Sequence, residues 1–313
     1  MRTRRRVIAA KIEAVEGIAE SLSASDTGVL VIDPKVDVDI AMHERNPARA
    51  SLGSLASLPG SQKASISFSV EVKGAGAAYS ASVKPALGVY LRACGFAETI
   101  DTALGAEKAT YDPASDGIPS LTINSYEDGV IKSIIGARGN VKVVANMDEA
   151  VRLEFEFTGV WNGITDGAML NPVYEDTAPP VFLSANFSIE SYAAIMTSID
   201  IDMGNVVHLR QDANSPTGYR SAIITSRKAT GSFNPDMTTV LEMDWYGRWK
   251  AGTPGALNVG DIGNTQYNKF KITAPKIMAT KVSDDDNGGQ VVAGHTFDAG
   301  EDTGDDEIRI EFS

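Results

Sequence analysis

The clearest structural signal in the chain is VRLEFEF at residues 151–157, where apolar and charged side chains alternate at every position. Successive side chains of a β-strand point to opposite faces of a sheet, so this pattern predicts a strand with one buried and one solvated face. The same alternation occurs in SISFSVEV at residues 65–72 and in VDVDI at residues 36–40. The sequence therefore predicts a mainly β protein.

Strand-like runs dominate the rest of the chain, with few helical segments between them. Apolar residues at spacings of four and three predict a short helix within residues 7–20. Pro85 opens a second predicted helix at residues 85–94, because proline is tolerated in a first helical turn and Gly95 suits its end. Residues 238–250 fit either a helix or a strand. The remaining predicted strands are residues 29–32, 120–126, 129–136, 141–144, 199–203, 221–226, 269–273, 276–282, 290–297 and 308–312.

The order of these elements recurs after NPVYEDTAPP at residues 171–180, a proline-rich stretch typical of a linker. IDIDM at residues 199–203 resembles VDVDI at residues 36–40. This recurrence favours a tandem duplication, although two unrelated halves remain compatible with it. The predicted division is an N-terminal arm at residues 1–28, a first β-domain at residues 29–170, a linker at residues 171–180 and a second β-domain at residues 181–313.

The charge balance limits the possible partners. The chain carries 28 Lys and Arg against 41 Asp and Glu, a formal net charge of −13 at pH 7. Tight binding to the phosphate backbone relies on cationic side chains that displace counterions, so this balance argues against a protein that grips DNA. The single cysteine, Cys94, excludes an internal disulfide framework and a Cys-based zinc cluster. No apolar stretch approaches the roughly 18 residues of a membrane-spanning helix.

No motif in the sequence points to chemistry. The three histidines, His43, His208 and His295, lack the spacing of metal ligands. DDDNGG at residues 284–289 invites a calcium-loop interpretation, but His295 stands where such a loop needs its bidentate Glu, so a solvated hairpin turn is preferred. No nucleophile, base and oxyanion site can be assembled. We therefore predict a structural protein with no catalytic residue, metal site or cofactor.

Two other functional classes remain open at this stage. A carbohydrate-binding or surface-layer β-sandwich module would group exposed aromatic side chains at one rim, and Trp161, Trp245 and Trp249 show no such grouping. A glycosidase-like enzyme would need two carboxylates that converge across a cleft. The sequence alone does not reveal such convergence.

Several segments, taken in order, resemble the major tail tube proteins of long-tailed bacteriophages (siphophages) and prophages. They are KIEAVEG at residues 11–17, PALGVYLRACGF at 85–96, YDPAS at 111–115, residues 128–140 and FEFTG at 155–159, with a looser similarity over residues 179–312. The arginine cluster within residues 2–6 is not part of this resemblance, and its role is unexplained.

The resemblance implies a β-sandwich or barrel tube domain with a flanking helix, here duplicated, plus an extended N-terminal arm and long loops. It implies rings that stack around a channel, which holds the tape measure protein and conducts DNA during ejection without binding it specifically. Three chains would form a pseudo-hexameric ring if the domain is duplicated, and six chains if it is not. Tail terminator and distal tail proteins are further implied partners. The protein would assemble in the bacterial host cytoplasm, reside in the virion and contact no membrane.

The resemblance also suggests functional residues. Residues 65–72 and 151–157 become candidate channel or inter-subunit strands, represented by Ser65, Ser67, Glu71, Arg152, Glu154 and Glu156. The N-terminal arm and the loop at residues 48–60 become candidate contacts between stacked rings, represented by Arg4, Lys11, Glu13, Arg49, Leu52 and Leu55. We expect Asp and Glu to outnumber Lys and Arg on the channel wall, since an acidic wall leaves DNA hydrated and free to slide.

Overall fold

The computed structural model describes Arg2 and residues 4–313, and β-strands dominate it. Strands hold 52% of the chain and helices 5%, which confirms the predicted mainly β fold. The first half of the chain, as defined here, contains β1 Arg6–Ile12, β2 Val31–His43, β3 Leu58–Glu71, α1 Gly88–Ala93, β4 Phe96–Asp101, β5 Lys108–Pro113, β6 Leu121–Glu127, β7 Val130–Asn146 and β8 Arg152–Asp166. The second half contains β9 Ser188–Ile189, β10 Met196–Asp202, β11 Asn205–Gln211, β12 Tyr219–Arg227, β13 Thr230–Pro235, α2 Trp245–Ala251, β14 Gly255–Ile262, β15 Phe270–Asn287, β16 Gln290–Gly300 and β17 Arg309–Phe312.

The two halves share one strand order. In the first half the antiparallel order is β2-β3-β8-β7-β6-β1. In the second half it is β10-β13-β16-β15-β14-β9. Each half carries one short helix at the same point, since α1 follows β3 and α2 follows β13. Two antiparallel pairings, β7 with β10 and β5 with β17, join the two halves into one continuous sheet.

An aromatic cluster under each helix forms the centre of each half. Tyr90 of α1 packs on Phe68, Phe155 and Phe157, with ring centroids 5.3, 5.6 and 6.0 Å away. Trp245 of α2 packs on Phe233 and His295, at 6.2 and 5.6 Å. These side chains come from strand faces that alternate as the sequence predicts. On β8, Leu153, Phe155 and Phe157 are buried, whereas Glu154 and Glu156 are exposed.

The helix predicted within residues 7–20 is wrong. Residues 6–12 form β1, which pairs with β6 along its whole length. Val7, Ile8, Ala9 and Ala10 are all buried, so both faces of this strand are covered. A strand buried on both faces has a continuous apolar run instead of alternation, and such a run is easily mistaken for a helical stripe. This part of the predicted N-terminal arm is therefore a core strand.

The other predicted elements differ mainly in their bounds. The helix at residues 85–94 is confirmed as the shorter α1, and α2 settles residues 238–250 as helical at their C-terminal end. The paired runs predicted around residues 29–40, 129–144 and 269–282 are single long strands, β2, β7 and β15. The acidic segment at residues 284–289 closes the β15–β16 hairpin, with Asn287 opposite Gln290. The sequence patterns do not predict strands β4, β5, β9, β11, β13 and β14, and the predicted domain boundaries stay a prediction.

Candidate assembly surfaces

One face of the continuous sheet is polar across both halves of the chain. Directly opposed residues share a face, and one such row crosses seven strands as Ser69, Glu154, Lys142, Asp202, Thr230, Asp298 and Met278. The neighbouring row contains Glu71, Arg152, Val144, Asp200, Ser232, Thr296 and Lys281. We call this surface the polar face. The opposite face of the same strands carries the buried apolar side chains of the core.

All six residues predicted for the channel or inter-subunit strands lie on the polar face. Ser65 and Ser67 lie on β3, where Ser67 faces Glu156 of β8, while Glu71 faces Arg152. The strand period of two explains this grouping, because it sends every second residue to the same side. Acidic side chains outnumber basic ones only slightly in this surface, where Lys228 also forms an ion pair of 2.8 Å with Asp298. The acidic strand residues are Asp37, Asp39, Glu71, Glu154, Glu156, Asp200, Asp202, Asp285 and Asp298, and the basic ones are Lys35, Lys63, Arg138, Lys142, Arg152, Lys276 and Lys281.

The β7–β10 junction between the halves is an ordinary antiparallel ladder. Residues 198–202 of β10 pair with residues 142–146 of β7, with Asp200 opposite Val144. Side chains reinforce the ladder on the polar face, where Asn140 Nδ2 donates to Asp202 Oδ1 at 2.7 Å. Lys142 Nζ lies 3.7 Å from Asp200 Oδ2. The junction therefore combines backbone hydrogen bonds with opposite charges.

Several strand edges are unpaired within the described part of the chain, among them one edge each of β1, β4 and β9. Two others, on β2 and on the end of β15, are here called the free edges. Among the described residues, β2 pairs with β3 and with no other strand. Residues 278–287 of β15 pair only with β16, since β14 and β17 contact the N-terminal half of β15. Unpaired strand edges are templates for pairing with another chain. These are the edges that correspond, in strand order, to the two edges joined at the β7–β10 junction.

Each half extends one hairpin beyond the sheet, but the two hairpins differ in their surroundings. In the second half, the β11–β12 hairpin continues β10 and β13 and covers the first half, burying Leu209 and Ala222 against Val160. The approach is close at Gly136, where an added Cβ would lie 2.9 Å from Ser221 Cα.

In the first half, the corresponding end of the β2–β3 hairpin leaves Val38, Ile40 and Met42 exposed by 38, 40 and 60%. These three side chains alternate with Asp37 and Asp39, so they share one face of β2. One hairpin is thus packed on a neighbouring half and the other is without such a neighbour.

The predicted ring-stacking residues lie in two different environments. Arg49, Leu52 and Leu55 belong to the segment 44–57 between β2 and β3, in which Leu52 is wholly exposed. Arg4 is exposed next to β1, and Lys11 forms an ion pair of 3.3 Å with Glu20. These four residues and the partly exposed Leu55 remain available to a neighbouring molecule.

Glu13 does not fit a contact between rings, because it lies inside the subunit. Its carboxylate accepts hydrogen bonds from the Ser120 and Thr122 hydroxyls at 2.6 and 3.1 Å. It also accepts from the backbone N–H groups of Gly17 and Gly136, both at 2.7 Å. A buried carboxylate is stable when its lone pairs are satisfied in this way. Glu13 therefore fastens the chain after β1 to β6 and β7.

Three further candidates for chemistry, Cys94, His295 and Trp245, are buried in the core. Burial raises the pKa of the Cys94 thiol well above its usual value, so the reactive thiolate is disfavoured. Burial, together with the nearby charge of Arg248, lowers the pKa of His295 to about 4. Trp245 is buried against His295 and cannot stack on a sugar.

Within the part of the chain that the structure describes, neither helix is long and apolar enough to cross a membrane.

Comparison with known proteins identifies the family to which the chain belongs. The family model described as phage tail tube protein matches residues 3–313, nearly the whole chain. A search of curated proteins finds no significant match. The match covers both halves of the fold, both free edges and the polar face together. The chain therefore belongs to the phage tail tube protein family, and it is a structural component of the virion tail that assembles with copies of itself into a tube.

Proposed function

We propose that three copies of this chain close into a ring by joining the free edge of β2 in one copy to residues 283–287 of β15 in the next. The observation that carries this proposal is the β7–β10 ladder, which joins two halves of the same strand order. A repeated junction of the same geometry between chains would satisfy both free edges. Two similar halves per chain and three chains would give a ring with six similar units.

The repeat also supports a specific register for the junction between chains. Phe68 opposite Phe155 in the first half matches Phe233 opposite His295 in the second. Each half then has a register shift at the same place, between Ile32 and Lys35 on β2 and between Met196 and Ile199 on β10.

With this alignment, Asp200 of β10 corresponds to Lys35 of β2, because they face Ser232 and Ser67. Val144 of β7 corresponds to Asp285 of β15, because they face Arg152 and Val292. The closing ladder would therefore place Lys35 of one chain opposite Asp285 of the next. Opposite charges directly across a ladder stabilise the pairing.

The exposed end of the β2–β3 hairpin supports the same arrangement. The β11–β12 hairpin crosses the β7–β10 junction and packs on the first half. An equivalent crossing would lay Val38, Ile40 and Met42 on the second half of the next chain, near Lys276 and the exposed Met278. Ring closure would then cover an apolar strand face that the single chain leaves in water.

We further propose that the polar face lines the channel. Its excess of carboxylates would repel the DNA phosphates, so the DNA would keep its counterions and slide through without a binding site. In this function the channel holds the tape measure protein while the tail is built and conducts DNA at ejection. The tail terminator and distal tail proteins would close the two ends of the tube. Assembly in the host cytoplasm belongs to the same proposal.

A charge exchange at the closing ladder tests the ring. We expect Lys35→Asp to place two carboxylates opposite each other and to shift the protein from trimeric rings to monomers. Asp285→Lys should do the same by opposing two ammonium groups. The double variant restores an opposite pair, so rings should return. The masses are measured by size-exclusion chromatography with light scattering, and ring shape by negative-stain microscopy.

Arg220→Asp is the matched control, because Arg220 is exposed on β12 away from both edges and the substitution changes the charge equally. This variant should form rings. Trimers from both single variants, or a double variant that stays monomeric, would contradict the proposed register. A wild-type protein that forms neither rings nor tubes would contradict the proposed ring itself.

A further inference from the structure

The segment 44–57, here called the tip loop, and an apolar cleft lie at opposite ends of the sheet. The tip loop precedes β3 at Leu58, whereas Glu71 at the other end of β3 faces Arg152, next to the β7–β8 turn. β3 spans 14 residues, which corresponds to roughly 45 Å of strand at its usual rise. Surfaces at opposite ends of one subunit are the ones that meet when identical rings stack head to tail.

The cleft is a concave apolar surface beside the β7–β8 turn. It has a volume of about 240 Å³ and is lined by Met147, Phe182, Leu183, Ser184, Ala185, Phe187, Ala194, Ile195 and Met196. Several of these large side chains are in contact with water, since Met147, Leu183 and Ile195 are 51, 50 and 70% exposed. Asp148 and Glu149, both exposed, follow Met147 in the same turn and give this rim a negative charge.

The tip loop has the complementary composition. Leu52 is wholly exposed and Leu55 partly exposed. Arg45 and Arg49 are also exposed and, against the one carboxylate of Glu44, leave the loop with a net positive charge. Arg49 donates a hydrogen bond to the carbonyl of Gly53, which folds the loop around Leu52.

We infer that the tip loop of a chain in one ring enters the cleft of a chain in the adjacent ring, with Leu52 and Leu55 against Met147, Leu183 and Ile195. Arg45 and Arg49 then lie beside Asp148 and Glu149 of the receiving chain. This inference rests on the proposed ring, and it identifies the surface that receives the loop. The occupant is a second copy of this chain.

Charge and exposure both favour this pairing. Leucine side chains in water gain free energy on transfer to an apolar cleft, and here both partners are exposed in the single chain. The opposite charges beside the apolar contact fix the orientation of one ring on the next and disfavour tail-to-tail or head-to-head pairing. A contact between different ends of identical subunits does not close on itself, so it extends into a filament.

A cysteine cross-link tests the contact directly. Leu52→Cys combined with Leu183→Cys should form disulfide-linked chain ladders under mild oxidation of assembled tubes, seen by non-reducing gel electrophoresis. The two positions lie at opposite ends of β3 in one chain, so a bond between them joins different chains. The native Cys94 is buried and serves as the internal background. Each single cysteine variant is the control and should give no extended ladder.

Charge reversal separates stacking from ring formation. Arg45→Glu with Arg49→Glu should leave trimeric rings intact but lower the number of tubes at least tenfold in micrographs. Asp148→Lys with Glu149→Lys should have the same effect. The four substitutions together restore opposite charges, and tubes should return. Arg220→Glu with Lys250→Glu changes two exposed cations outside the contact and should leave tubes unchanged.

The following outcomes would contradict the inference. Normal tubes from both charge-reversed pairs, or a fourfold variant that forms rings without tubes, would show that the loop and the cleft are not partners. No ladder in the 52/183 double cysteine variant within intact tubes would show the same. Wild-type protein that forms no rings would overturn the proposed ring and this contact together.

Discussion

The first half of the chain and the second half have the same strand order but differ at the centre of their cores. Phe155 of β8 faces Phe68 and packs on Tyr90. At the matching position of the second half, His295 of β16 faces Phe233 and packs on Trp245. The first half thus has three phenylalanines and a tyrosine in its cluster, and the second contains an imidazole whose Nδ1 has no hydrogen-bond partner. Repeating a backbone topology does not require repeating the chemistry of its core.

Replacing Phe155 or His295, the two matched core residues, by alanine should give the largest loss of stability, and the two losses should differ. We expect Phe155→Ala to lower the free energy of unfolding by about 3–5 kcal/mol, because it leaves a cavity among Phe68, Tyr90 and Phe157. His295→Ala should cost less, because it removes a smaller side chain and an unpaired polar atom. Urea unfolding at pH 8 measures both values. An equal or larger loss for His295→Ala would show that the two clusters contribute alike.

The histidine should also make stability depend on pH. Burial lowers the pKa of His295 to about 4, while an unfolded histidine titrates near 6.5. Between these values the unfolded chain binds a proton that the folded chain does not, so stability is greatest above pH 6.5 and falls as the pH approaches 4. The expected loss from this group is up to about 3 kcal/mol.

His295→Phe copies the first half and should remove this part of the pH dependence, measured as the difference between variant and wild type in urea unfolding from pH 8 to pH 4. His208→Gln is the control, because His208 is exposed on β11. If the difference between wild type and His295→Phe stays constant over this pH range, the histidine is not responsible.

The smallest expected loss of stability concerns Glu13. The described part of the second half has no carboxylate buried in an equivalent network of hydrogen bonds. Glu13→Gln leaves one acceptor oxygen and turns an amide N–H₂ toward the hydroxyl and backbone donors that now bind the carboxylate. We expect a loss of about 2 kcal/mol, in the range of hydrogen bonds to charged groups. Glu44→Gln changes an exposed carboxylate between β2 and β3 and should have a much smaller effect, with both variants measured by thermal unfolding.

Strands in which apolar and polar residues alternate could be predicted from the sequence, because the alternation is the same whichever strand pairs with them. The strand at residues 151–157 and the grouping of Glu154 and Glu156 on one face follow from the period of two alone. Strands buried on both faces were not predictable in this way. β1 lacks alternation and imitates a helical stripe, and the short β13 contains Gly231 and Pro235, which indicate a turn in sequence.

The residues of the candidate assembly surfaces also include some that the sequence could predict and some that it could not. The faces of Ser65, Ser67, Glu71 and Arg152 could be predicted, and so could the exposure of Leu52 in a loop rich in small residues. The burial of Glu13 could not, because three of its four donors come from residues 120–136 and no local pattern connects them to it. The two free edges could not be predicted either, because an edge is defined by the strand that does not pair with it.

The amino-acid sequence by itself determined a mainly β chain and the polar and apolar sides of its long strands. Only the tertiary structure decided that β7 pairs with β10, that β2 and the end of β15 keep free edges, and that residues 6–12 lie in the core. The physical reason is that side-chain alternation is a property of one strand. Pairing is a property of two strands, here some 60 residues apart, and its hydrogen bonds run between backbone groups that every sequence shares.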